Sequence, residues 1–196
     1  MAVITRTTAT ARALARLIVQ PADAHCDTED GPAVTDGRRA LASGNINHAL
    51  KWVSAGSEEE VRRAFAAART ARAAGDEGSE RAERAFLETL VRVHRAGEGE
   101  GFEGIQPTGT ALPPQVVAAD RALDEGTIDP LRGLVPDDRW PELQRRFDDA
   151  LAKKGFDADD LPAAREYVEA YVRFFKYAEG EDHADSDGHH HHDRPS

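Results

Sequence analysis

The chain has 196 residues, 31% of them charged and only 6% aromatic, with a formal net charge of -11. Its length allows one domain or two small ones with a real core, and its alanine-rich composition suits helices. The acidity excludes nucleic acid and anionic membranes as partners, because the field repels phosphate. No stretch approaches the roughly 20 apolar residues of a membrane span. One cysteine excludes an intrachain disulfide.

In chain order, residues 1–24 come first: Thr/Ala/Arg-rich, without an acid before Asp23. Arg16 interrupts their apolar run, which argues against an ordinary secretory signal. They read as a leader or propeptide with Ala22-Asp23-Ala24 at the cleavage point, or else as a frayed terminus. Such a leader implies processing, either propeptide removal in the cytoplasm or export.

A first helical repeat is expected over 25–97. Its helices run from Ala33 to Ser43, closed by Gly44, then from Ile46 to Val53. Ser57 with Glu60 forms a capping-box pattern opening a helix to Ala74, and Ser79 opens the last, to Ala96. A Gly/Pro-rich linker, 98–113, is read as irregular and superficial; its glutamates rule out a phosphate cradle. The second repeat, 114–180, places helices at Pro114–Glu125, Ile128–Leu134, Asp138–Lys153 and Ala158–Ala178. No window alternates with the period of a strand.

The two repeats echo each other. Arg39, Leu41, Gly44, Ile46 and Val53 recur as Arg121, Leu123, Gly126, Ile128 and Val135, 82 residues on. Glu88, Val91 and Arg92 recur as Glu169, Val172 and Arg173, 81 residues on. A near-constant offset at both ends of a unit points to one module used twice. The expected fold is therefore all-α, a helical bundle of two internally duplicated four-helix units, eight helices in all. Glu88–Arg92 and Glu169–Arg173 have the spacing of one-turn ion pairs.

The chemistry-bearing residues cluster in the first repeat. His25 and Cys26 precede its first helix and have no counterpart before the second. His94 lies on the apolar face of its helix, where the second repeat has Phe175. A lone histidine there is ordinarily a core residue. If cleavage makes His25 the first residue, however, one dipeptide offers an amine, an imidazole, a backbone amide and a thiolate, a set that suits nickel or copper. Asp30 and His94 are further candidate ligands. Cys26 and His94 could also form a nucleophilic pair, but no oxyanion site is evident. In the tail, 181–196, His183, His189, His190, His191 and His192 alternate with acids, a composition that binds metal loosely without fixed geometry.

At His25, Cys26, Asp27 and Gly31 the segment resembles the N-terminal hook of nickel superoxide dismutase, an all-helical family that also loses a leader before its histidine. Glu29 stands where that family has proline, and Asp30 where it has its second thiolate. Over its length the chain is similar to an uncharacterised helical family opening His-Cys-Asp-Thr-x-Asp-Gly-Pro after a leader; here that is His25 to Pro32, with Glu88–Gly99 and Glu166–Val172 further on. The hook resemblance implies a nickel- or copper-binding redox protein with superoxide dismutase-like chemistry at His25 and Cys26, superoxide being its small-molecule substrate. The alternatives are a non-catalytic metal chaperone or storage protein, whose partner is the ion itself, and a helical interaction module. A homo-oligomer is compatible with each.

Overall fold

A computed structural model describes residues 25–75 and 78–181. The expected leader and histidine-rich tail, with His183 and His189 to His192, lie outside the described residues.

Among the described residues the fold is all-α. The helices are α1 (Pro32–Ser43), α2 (Asn47–Leu50), α3 (Glu58–Ala74), α4 (Ser79–Gly97), α5 (Pro114–Glu125), α6 (Trp140–Lys153) and α7 (Leu161–Glu179). The expected helix over 128–134 is instead a short 3-10 turn, Asp129–Leu131. Pro130 supplies no N–H there, and Pro136 follows closely, so a regular helix cannot establish itself. A second 3-10 turn, Asp137–Arg139, leads into α6, and α7 begins at Leu161 rather than Ala158.

Local chemistry explains the boundaries. Proline enters α1, α5, α6 and α7 in the first turn, where a missing N–H does no harm. Asp160 caps α7 by accepting from the Ala163 N–H at 3.1 Å. Ser57 flanks α3, but its hydroxyl pairs with Ser54 at 3.1 Å instead of capping. Ser79 is itself the first residue of α4, and Gly78 precedes it as the cap.

Helix α3 packs on α4 and α6 on α7, while α1 lies on α4 and α5 on α7. Phe86, Phe174, Phe175, Leu50, Leu90 and Leu143 are fully buried, each adding about 1.5–3 kcal/mol of hydrophobic stabilisation. Gly37 lets α1 approach α4 closely, since a Cβ there would lie 2.6 Å from Leu87 Cδ2. Arg165 of α7 ties the two halves together, donating to the Val53 carbonyl at 3.0 Å and to Glu58 at 2.6 Å.

Two expectations need correcting. Glu88 pairs with Arg84 at 2.9 Å, not with Arg92, which reaches across to Glu60 on α3; the Glu169–Arg173 pair does form, at 2.8 Å. The linker is also more than a surface connection. Ile105 is buried, and Gln106 pairs with the first described residues: its N–H donates to the Asp27 carbonyl at 2.8 Å, and its carbonyl accepts from the Glu29 N–H at 2.9 Å. This clasp lays residues 25–28 into the core.

Candidate functional site

The clasped segment folds back on itself. The Gly31 N–H donates to the Thr28 carbonyl at 2.9 Å, and a Cβ at Gly31 would come within 2.3 Å of the His25 carbonyl oxygen. His25, Cys26, Asp27 and Thr28 are all buried as a result.

The His25 ring is held from the second half. Its Nε2 lies 2.7 Å from Asp120 Oδ2 on α5 and 3.0 Å from the Tyr171 hydroxyl on α7. That hydroxyl donates to Asp120 Oδ1 at 2.7 Å, so both Asp120 oxygens accept. A carboxylate accepts only, which makes Nε2 the proton-bearing nitrogen and leaves the neutral ring's lone pair on Nδ1. Nδ1 is buried and has no hydrogen-bond partner among the described residues. Phe175 packs edge-on against the ring at 5.7 Å. Burial first, then the Asp120 charge, pushes the Tyr171 phenol well above its usual range, so it stays a donor.

Cys26 is 2% exposed. Its thiol is pushed well up, mainly by burial and then by the charges of Glu98, Asp27 and Asp120. It is not an activated nucleophile. Asp27 faces Arg95, whose Nε sits 3.4 Å from Oδ2 and donates to the Gly101 carbonyl at 2.8 Å.

His94 is buried on α4 and pinned in the same manner. Its Nδ1 donates to the Trp52 carbonyl at 2.9 Å, leaving Nε2 with no hydrogen-bond partner among the described residues. Glu98 Oε1 is 3.8 Å from that nitrogen, and Glu98 Oε2 is 3.3 Å from the Lys176 ammonium. Burial holds the His94 pKa below that of a free histidine, so the ring stays neutral. Glu98 therefore neighbours His94 directly and reaches Cys26 through its field. Asp30 stands apart, exposed at the mouth of a cleft.

That cleft, about 510 Å³, opens between the halves and exposes an edge of His25. On the far wall Asp36 accepts from the Lys51 ammonium at 2.8 Å and from the Trp52 indole N–H at 3.0 Å. Sequence reasoning missed Asp120, Asp36 and Lys51. Each is an ordinary charged residue on a helix, and only the packing of the halves gives it a role. Among the described residues no group of three or more His, Cys, Asp or Glu side chains converges to hold a metal. His25, Cys26, His94 and Asp30 thus do not form a closed four-ligand cage.

The profile of a family of unknown function (DUF6448) matches residues 30–177. The chain belongs to this family. The DUF6448 match takes in α1 through most of α7, and with them Asp36, Lys51, His94, Asp120 and Tyr171; His25 to Glu29 fall just before it. No curated protein and no solved structure matches significantly. No helix among the described residues is long and apolar enough to cross a membrane.

Proposed function

We propose that this protein binds a transition-metal ion, nickel or copper, at His25 and Cys26. One observation carries the reading: the His25 ring is clamped through Nε2 by Asp120 and Tyr171 while Nδ1 points a bare lone pair into a buried position. Metal-ligating histidines are commonly oriented by a carboxylate on their other nitrogen. The donor set suits the ion, since imidazole and thiolate together select soft and borderline metals.

Electrostatics supports the same reading. Asp27, Glu98 and Asp120 push the Cys26 thiol up because they make its surroundings negative. That potential favours a divalent cation, and Cys26 releases its proton when the cation takes its place. Two side chains leave coordination positions to backbone nitrogen, to solvent or to a substrate. When residues 1–24 are removed, the His25 amine joins the set. A bound nickel or copper ion would supply one-electron redox chemistry. Asp120 and Tyr171 would keep the ring oriented, and the Tyr171 hydroxyl would be the proton donor nearest to it.

The test is a titration of the chain beginning at His25, with the tail histidines replaced by serine, using Ni(II) and Cu(II). One equivalent should bind with a thiolate charge-transfer band and the release of protons. Cys26→Ser should abolish the band, and His25→Ala should weaken binding. Binding that neither change alters would refute the site. Access of the cleft to His25 favours a redox enzyme over a storage protein. Superoxide turnover by the loaded protein, lost in Cys26→Ser, is the expected result; a loaded but inert protein leaves storage or delivery.

A further inference from the structure

The cleft beside His25 has features that metal binding does not use. Its walls carry Trp52, Phe156, Tyr167 and Tyr171, and its volume of about 510 Å³ is that of a pocket for a small organic molecule. We propose that it binds a small neutral ring compound bearing a hydroxyl, of the phenol class.

The charge state follows from what the walls have already satisfied. Lys51 is ion-paired with Asp36 at 2.8 Å and sits over the Phe156 ring at 4.9 Å, so the place an aromatic pocket offers a cation is filled from within. Lys154 pairs with Asp124 at 3.2 Å, and Asp120 accepts from His25 and Tyr171. At the rim, Asp30 and Arg39 are exposed and opposite in sign. A charged ligand would have to break one of these pairs or stay unpaired in a partly dry site, and both are unfavourable.

The polar handle is Tyr167. Its ring is half-buried, stacked near Tyr171 at 6.1 Å and tilted against Phe156 at 5.2 Å. Its hydroxyl makes no hydrogen bond to any described residue, unlike that of Tyr171. Burial pushes the phenol up to about 12, so it offers both a proton and a lone pair at neutral pH. An aromatic alcohol matches that group and the rings around it. The proposal requires no metal at His25, and its test is made without one.

The experiment is an NMR titration of the metal-free full chain with 4-methylphenol. Trp52, whose indole N–H donates to Asp36 on the cleft wall, is the reporter; Trp140, on α6 and absent from the cleft lining, is the control. The Trp52 indole signal should shift saturably while that of Trp140 stays still. Tyr167→Phe keeps the ring, and should weaken binding about fivefold through one lost hydrogen bond. Toluene should bind more weakly than 4-methylphenol, as should 4-methylbenzoate and 4-methylbenzylamine. No saturable shift at Trp52, equal binding of toluene, tighter binding of either charged analogue, or indifference to Tyr167→Phe would overturn the proposal.

Discussion

Replacing Gly31 by alanine tests how the segment carrying His25 and Cys26 is held. The backbone is no obstacle, because Gly31 sits at φ -68° and ψ 159°, where any residue is comfortable. The obstacle is space. An added Cβ would lie 2.3 Å from the His25 carbonyl oxygen, 2.9 Å from Thr28 Oγ1 and 3.1 Å from the Thr28 carbonyl oxygen, where ordinary contact begins near 3.4 Å. The turn must therefore open by about 1 Å, mostly by moving backbone. Overpacking of this kind costs about 1–3 kcal/mol. Losing the Gly31-to-Thr28 hydrogen bond adds about 1 kcal/mol, for a total of about 3 kcal/mol. In a chain of this size that lowers the melting temperature by about 6–12 °C. Two other glycines calibrate the scale. Gly37→Ala meets only the Leu87 side chain at 2.6 Å, which can turn aside, and should cost about 1 kcal/mol. Gly56→Ala meets nothing within 4 Å and should be neutral. Thermal unfolding of the three variants should rank them in that order. If Gly31→Ala melts with Gly56→Ala, residues 25–31 are not packed as described.

Other consequences follow from the same contacts. Asp120→Asn and Tyr171→Phe should each weaken metal binding about 10- to 100-fold without touching a ligand, read by competition titration. Metal affinity should rise with pH, by up to about tenfold per unit while Cys26 is still protonated in the free protein, and Cys26→Ser should flatten that dependence. His94 gives a stability signature with a definite sign. Its folded pKa lies below its unfolded one, so the unfolded chain takes the proton first. Its contribution is intact above about pH 6.5 and is lost as pH falls, with a slope of up to about 1.4 kcal/mol per unit. Urea unfolding at pH 7.5 and 5.5 should show a flatter dependence for His94→Gln, which keeps a donor for the Trp52 carbonyl.

The helices were legible because periodicity, proline and glycine mark them locally. Gly44, Gly75, Gly126 and Gly180 follow helices much where the sequence placed the ends. The expectation for residues 128–134 failed because the echo of Ile46–Val53 outweighed Pro130, whose missing N–H decides the local geometry. The pairing of Glu88 failed because spacing along one helix says nothing of the neighbours, and Arg84 and Glu60 offered closer partners. The buried setting of His25 could not be read at all. It depends on Gln106 of a linker that composition marks as loop, and on Asp120 and Tyr171, some 95 and 146 residues away in sequence. Local patterns do not encode which distant helices will meet.

X-ray absorption at the metal edge reads the ligands themselves. The chain beginning at His25, with serine in place of the tail histidines, should carry one equivalent of nickel whose nearest shell contains one sulfur together with nitrogen or oxygen. A shell of nitrogen and oxygen alone would contradict the account, because Cys26 holds the only thiol the protein possesses.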